Sequence, residues 1–101
     1  MPFIKVASLT ALPPGTVTEV LVNGQPYAIC NVDGVVRALN GVCIHRGGPL
    51  GQGQIHEGRL MCPFHLWEFD CATGAYDFDP TKRVDTYAVR VEGDDILIEA
   101  P

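Results

Sequence analysis

Hydrophobic and polar residues alternate over short runs of this sequence, and polar–glycine dipeptides separate the runs. Asn23-Gly24 and Asp33-Gly34 each stand between two runs rich in Val, Ile and Tyr. Both dipeptides favour the positive φ angles that tight hairpins need. In segment 66–70 aromatic residues alternate with carboxylates, which gives a strand one buried and one solvated face. The pattern predicts an all-β domain built of hairpins.

The predicted strands are short and rich in β-branched or aromatic residues. They cover residues 16–22, 26–32, 35–39, 54–55, 59–61, 67–70, 86–91 and 96–99. Glu57-Gly58 is the expected turn between the fourth and the fifth of these strands. A 3.6-residue apolar period is held for only a single turn, at 8–12, which Pro13-Pro14 ends.

The composition fits one ordinary globular domain. The chain has 101 residues, of which 47% are hydrophobic and 19% charged, and its net charge is −5. An acidic surface disfavours nucleic acid and suits basic protein partners. The sequence shows neither a leader resembling a signal peptide nor an apolar run long enough to span a membrane. We therefore predict a cytoplasmic protein, in which metal ligation is the default for cysteines close to histidines.

Two cysteine–histidine pairs carry the candidate chemistry. Cys43 and His45 are separated by one residue, and Cys62 and His65 by two. Sixteen residues lie between His45 and Cys62. Each pair falls in a loop that follows a predicted strand, and a hairpin turning at Glu57-Gly58 would bring the two loops face to face.

Three kinds of site compete for these pairs. The cysteines could be small apolar core residues beside unrelated histidines. Two thiolates and two imidazoles could also hold a structural zinc ion, although the first pair is tighter than usual and no helix is predicted. Two thiolates on one iron and two imidazoles on the other would hold a [2Fe–2S] cluster.

The pattern C-x-H–x16–C-x2-H, within CIHRGGPL and CPFHLWEFDCATG, resembles the Rieske-type [2Fe–2S] ferredoxin family over nearly the whole chain. The resemblance implies stacked antiparallel sheets in a single domain, 1–101, with a small cluster-binding subdomain at approximately 41–70. It implies one cluster, with Cys43 and Cys62 on the inner iron and His45 and His65 on the outer iron near solvent.

The residues around these ligands imply a soluble, low-potential member. Membrane-attached, high-potential relatives carry a disulfide cysteine in each loop, where this chain has Gly48 and Phe64. They also carry a serine two places after the second histidine, where this chain has Trp67. Gly47 and Gly48 either bring backbone N–H groups to a cluster sulfide or form a plain turn. Many members place glycine after the second histidine, and Leu66 in that position leaves the subgroup open.

The expected role is electron transfer and not enzymatic catalysis. Oxygenases with a Rieske domain also need a mononuclear iron held by two histidines and a carboxylate, and only His56 remains for such a site. We expect a free-standing one-electron carrier that takes electrons from a flavin-dependent NAD(P)H reductase. It would pass them to a terminal aromatic-ring dioxygenase or multicomponent monooxygenase. The protein is expected to be a monomer. The expected docking residues surround the two histidine ligands and are Arg46, Pro49, Phe64 and Leu66.

Two other functions stay open. The chain could be the small Rieske subunit of an NAD(P)H nitrite reductase, or a zinc-stapled interaction module without redox activity. Among the remaining residues, Cys30 is expected in the core and His56 on an exposed hairpin. Cys71, beside a turn, is either an oxidisable thiol or a structural residue.

Overall fold

The computed structural model describes residues 3–44, 47–64 and 66–100, and in this part of the chain the fold is all-β, as predicted. It contains no α-helix, and therefore none that could cross a membrane, within these residues. The strands are β1 Phe3–Ser8, β2 Thr16–Val22, β3 Gln25–Val32, β4 Val35–Asn40, β5 Gln54–His56, β6 Arg59–Met61, β7 Glu68–Asp70, β8 Thr86–Tyr87, β9 Val89–Glu92 and β10 Asp95–Glu99. Single 3₁₀ turns occur at Leu9–Ala11 and Leu50–Gln52.

The strands form three antiparallel sheets. A main sheet has the order β2-β3-β4-β8, a second sheet has the order β1-β10-β9, and a small sheet has the order β5-β6-β7. The stacked antiparallel arrangement expected from the resemblance is confirmed. The small sheet lies within the segment that was predicted to carry the two cysteine–histidine loops.

The predicted hairpin turns are confirmed by their backbone angles. The φ angles are 53° and 82° in Asn23-Gly24, 53° and 88° in Asp33-Gly34, and 51° and 80° in Glu57-Gly58. Two consecutive positive φ angles match the right-handed twist of the flanking strands. The β5–β6 hairpin therefore turns at Glu57-Gly58, as the sequence indicated.

Strand β3 is buried on both faces and separates two cores. Ala28 and Cys30 point to the core shared with the small sheet, whereas Tyr27 and Ile29 point to the core shared with the second sheet. Because side chains alternate along a strand, consecutive residues supply opposite cores. The core on the side of the small sheet consists of Ala28, Cys30, Leu39, Cys43, Leu50, Leu60, Cys62, Phe69, Cys71 and Val84.

Two strand predictions need correction. The predicted strand at 86–91 is divided, because β8 pairs with β4 of the main sheet whereas β9 pairs with β10 of the second sheet. The chain crosses between the two sheets at Ala88, whose carbonyl accepts a hydrogen bond from the Glu99 N–H. Strand β1 was not predicted at all. Its pairing with β10 shifts register between Lys5 and Ala7, and such a bulge breaks the period of two that reveals a strand.

Candidate metal centre

The first cysteine–histidine loop is closed by backbone hydrogen bonds. The Leu50 N–H donates to the Gly41 carbonyl at 3.0 Å, and the Cys43 N–H donates to the Gly48 carbonyl at 2.9 Å. Gly47 has a φ of 69° and donates its N–H back to the Cys43 carbonyl. These bonds hold Cys43 at the base of a tight loop that projects from the end of β4.

The second loop, between β6 and β7, is built on the same plan. The Cys62 N–H donates to the Trp67 carbonyl at 2.7 Å, five residues further along the chain. Leu66 has a φ of 58°, which places a residue with a Cβ atom in the left-handed region. Cys62 is therefore fixed at the base of its loop in the same way as Cys43.

The two loops bring their cysteines together. Cys43 and Cys62 are 2% and 0% exposed, and their side chains are in hydrogen-bond contact. The Phe64 N–H points at Cys62 Sγ from 3.4 Å. A Cβ atom at Gly48 would lie 2.8 Å from the same sulfur, so glycine is what allows this approach. The predicted convergence of the two loops is confirmed for the cysteines.

Burial disfavours the charged form of Cys62 in the absence of a bound cation. Burial raises the pKa of Cys62 to about 11, with contact to Cys43 adding to the rise and the Phe64 N–H opposing it. Thiolates are the form that binds metal, so metal binding displaces the protons. Two buried thiolates side by side need positive charge to compensate them. The two adjacent sulfurs at the bases of the two loops can therefore hold a metal cation once they lose their protons.

The remaining residues predicted at the site are only partly placed. His45, Arg46 and His65 lie outside the described residues. A Cβ atom at Gly48 would lie 3.1 Å from Phe64 Cβ. The two positions at which the resemblance puts disulfide cysteines in other members therefore face each other here, without a disulfide.

The other two cysteines lie in the core. Cys30 and Cys71 are 0% and 4% exposed, and their side chains are hydrogen-bonded. Contact with Cys71, together with burial, raises the pKa of Cys30, and the Cys30 thiol lowers the pKa of Cys71. All four cysteines are in the described part of the chain, and none is in a disulfide. The core position of Cys30 is confirmed. Cys71 is also buried, which agrees with a structural residue and not with an exposed, oxidisable thiol.

An aromatic cluster beside the second loop was missed by the sequence reasoning. The Trp67 and Tyr76 rings stack at 3.7 Å with an interplanar angle of 4°, and Phe78 packs edge-on against Tyr76. Trp67 and Phe69, like Tyr76 and Phe78, are spaced by two residues. This spacing was the available signal, because it places both members of each pair on one face of an extended segment. His56 is exposed, as predicted, with Nδ1 3.5 Å from a carboxylate oxygen of Glu68.

Comparison with known proteins decides the family. The model of the Rieske [2Fe–2S] domain matches residues 3–88. The chain belongs to the Rieske [2Fe–2S] domain family. It is 33% identical over 101 residues to the biphenyl dioxygenase ferredoxin subunit of Pseudomonas sp. (strain KKS102), covering 98% of this chain and 93% of the relative.

Solved Rieske structures have the same fold. The ferredoxin of carbazole 1,9a-dioxygenase from Nocardioides aromaticivorans IC177 matches with a TM-score of 0.86, 32% identity and 97% coverage of both chains. A chain from a complex of reduced oxygenase and oxidized ferredoxin in carbazole 1,9a-dioxygenase matches with a TM-score of 0.86 and 26% identity, covering 95% of this chain and 91% of the other. A nitrite reductase small subunit from Mycobacterium tuberculosis has a TM-score of 0.86 at 23% identity, which shows the fold alone.

Membership of the Rieske family establishes the cofactor, and the likeness to ferredoxin components over nearly their full length establishes the class of activity. The chain binds one [2Fe–2S] cluster, and it is an electron-transfer protein and not itself an enzyme. The structure fits this cofactor, because two adjacent buried thiols lie at the bases of two matched loops. The remaining two ligands of a Rieske cluster are histidines, and the sequence has one histidine shortly after each of these cysteines.

Proposed function

We propose that this chain is the ferredoxin component of an aromatic-ring-hydroxylating oxygenase system. It would accept one electron from a flavin-dependent NAD(P)H reductase and pass it to the terminal oxygenase. The observation that carries the proposal is the pair of matched loops, in which two adjacent buried cysteines are flanked in sequence by exposed apolar residues. The likeness to ferredoxin components over almost the full length of this chain and of its relatives supports it.

The proposed cluster ligands are Cys43 and Cys62 on the inner iron and His45 and His65 on the outer iron. Burial of both cysteines supports the inner position, because it keeps the thiolates away from water. In the sequence the histidines follow the cysteines by two and three residues. Imidazoles at the tips would shorten the path of an electron to a docked partner.

The charge of the ligand set explains why Rieske clusters have higher reduction potentials than clusters held by four cysteines. Two ferric ions, two sulfides and two thiolates sum to zero, whereas four thiolates would leave a doubly negative cluster that is harder to reduce. Rieske potentials accordingly lie between about −150 and +300 mV, against about −400 mV for plant-type ferredoxins. We propose a potential at the low end of this range, because Gly48, Phe64 and Trp67 replace the disulfide cysteines and the serine of high-potential members.

The proposed docking surface surrounds the two loop tips and includes Arg46, Pro49, Phe64 and Leu66. Of these, Phe64 and Leu66 are 48% and 62% exposed, which supports contact with a partner. An acidic monomer that docks briefly suits a carrier with two successive partners.

We further propose that 1–101 is one domain whose cluster-binding subdomain covers approximately 41–70. We propose that the protein is cytoplasmic, since a reducing compartment keeps both ligand cysteines as thiolates.

Two measurements test the proposal in order. Iron, sulfide and zinc are first measured in the anaerobically purified protein, and the absorption spectrum is recorded before and after dithionite. A visible band that bleaches, with about two irons per chain, is expected; a colourless zinc protein would contradict the cluster.

The protein is then added to reductase and terminal oxygenase of naphthalene and biphenyl dioxygenase systems, with NADH oxidation and product formation as readouts. We expect product only when all three components are present. Tight co-purification with a large partner and no relay to any oxygenase would instead favour the nitrite reductase subunit.

A further inference from the structure

The two cysteine–histidine loops share a backbone plan but differ at one equivalent position. In each loop the cysteine N–H donates to the carbonyl five residues later, at Gly48 in one loop and Trp67 in the other. The fourth residue after each cysteine has a positive φ, 69° at Gly47 and 58° at Leu66. The same turn is therefore made by glycine in the first loop and by leucine in the second.

Leucine is a poor choice for this backbone conformation. Glycine adopts positive φ without a steric penalty, whereas a Cβ atom clashes with the neighbouring backbone. Packing of the side chain does not offset the strain, because Leu66 is 62% exposed. Neither the backbone nor the core therefore accounts for leucine at this position. Strained residues of this kind concentrate at ligand and partner sites.

Leu66 is one of four exposed apolar residues in the two loops, which we call the apolar collar. The collar consists of Val42, Ile44, Phe64 and Leu66, which are 42%, 45%, 48% and 62% exposed. All four flank the two cysteines in sequence. The chain has twelve Asp and Glu residues, yet none lies between residues 34 and 56 or between 58 and 67. Among the described residues that line the cavity beside Leu66 none is charged, whereas Asp85 lies beside Val42 and Ile44.

We propose that Leu66 is a specificity-determining anchor, which inserts into an uncharged apolar socket on the terminal oxygenase. The inference rests on the proposed function, which supplies the oxygenase as the electron acceptor. The most exposed collar residue, held outward by a strained turn, would bury apolar area only when the partner docks. Because the described lining beside Leu66 is uncharged, Leu66 can meet an apolar socket without leaving a buried unpaired charge.

Three variants separate the turn from the side chain. Leu66→Gly removes both the strain and the side chain, and Leu66→Ala removes the side chain but keeps a Cβ atom at positive φ. Leu21→Ala is the matched control, since Leu21 is 69% exposed on β2 and lies outside the collar. Leu66→Gly is expected to raise the melting temperature by about 4 °C or more, whereas Leu66→Ala is not.

The docking readout uses the oxygenase that gives the highest rate in the coupled assay. Dithionite-reduced ferredoxin is mixed anaerobically with that oxygenase, and the half-saturating ferredoxin concentration is measured. Both Leu66 variants are expected to raise it about tenfold, and Leu21→Ala is expected to leave it unchanged. The midpoint potential of Leu66→Ala should match that of the wild type, which excludes an effect through the cluster.

Each contrary result has a distinct meaning. Wild-type half-saturation in both Leu66 variants, with electron transfer intact, would overturn the anchor and leave the proposed function standing. A tenfold rise towards the reductase and none towards the oxygenase would overturn the choice of partner. If the wild-type protein reduces no oxygenase at all, the proposed function fails before the anchor is tested.

Discussion

The molecule contains two pairs of buried cysteines in side-chain contact, and only one of them lies where a metal centre can form. Cys43 and Cys62 lie at the bases of two loops, with a backbone N–H directed at one sulfur. Cys30 and Cys71 connect β3 to the segment after β7 inside the core. The two pairs are alike in burial and in contact.

The difference between the pairs lies in their surroundings. Each loop cysteine is followed within three residues by a histidine, whereas no histidine lies near Cys30 or Cys71 in the sequence. Contact between two thiols is therefore insufficient to define a cluster site. Two further ligands and loops that expose them to a partner are also required.

The largest expected effect comes from replacing one cysteine of each pair with serine. Cys62→Ser should lose nearly all bound iron, because a thiolate ligand is gone. Cys71→Ser makes the same chemical change in the core pair and should keep about two irons per chain. Iron analysis and the visible spectrum of the purified variants check this. Equal iron loss in both variants would remove the distinction between the pairs.

A smaller effect is expected from filling the space beside the two loop cysteines, Cys43 and Cys62. In Gly48→Ala the new methyl group would lie 2.8 Å from Cys62 Sγ, and such overpacking costs about 1–3 kcal/mol. We expect a lower melting temperature and faster bleaching in the presence of an iron chelator. Gly24→Ala is the control, because Gly24 has a positive φ but nothing described within 4 Å of a new Cβ atom. It should lose stability without faster bleaching.

The core pair should affect stability and not the cluster. Cys30 is fully buried, so Cys30→Ala leaves a small cavity and should lower stability by about 1–2 kcal/mol. The midpoint potential of the cluster in Cys30→Ala should equal that of the wild-type protein. Thermal unfolding followed at the cluster absorbance, together with a redox titration, tests both statements. A shifted potential would mean that the core pair is coupled to the cluster.

The smallest expected effect concerns pH and arises in the main sheet, away from the loop pair. Burial, followed by the charge of Asp85, raises the pKa of Tyr87, whose ring meets Tyr27 edge-on at 5.0 Å. A raised pKa means that the folded state favours the neutral phenol. This contribution is present below the ordinary tyrosine pKa of about 10 and is lost as the pH rises through the folded value.

Tyr87→Phe removes this titration and isolates its effect. The melting temperature of the wild type should fall more than that of Tyr87→Phe between about pH 8 and about pH 11. The comparison between the two proteins matters, because other groups also titrate in this range. Parallel pH profiles would show that the phenol does not contribute to alkaline sensitivity.

Local patterns in the sequence predicted the hairpins and the cysteine pairing better than they predicted long-range contacts. Asn23-Gly24 and Glu57-Gly58 specify their turns through their own backbone preferences, so single dipeptides were sufficient. The Cys43–Cys62 contact followed from one hairpin between two motifs. The Cys30–Cys71 contact did not, because it joins β3 to the turn after β7, two segments that are far apart in the sequence.

The turn at Leu66 could not be predicted for a different reason. Residue preferences argue against positive φ at a leucine, and only the hydrogen bond that closes the loop imposes it. The sequence marked Leu66 as a departure from the family pattern but gave no reason for it. The strain becomes visible only when the two loops are compared in the folded protein.

The β5–β6 hairpin has a consequence for recognising distant relatives. Its turn at Glu57-Gly58 lies at the opposite end of the short β6 strand from Cys62. Residues inserted at that turn would lengthen the interval between the two motifs without touching either loop. Within each loop, by contrast, the cysteine N–H donates to the carbonyl five residues later, and this hydrogen bond fixes the number of residues in the loop. A search for diverged members should therefore hold each motif rigid and let the distance between them vary freely.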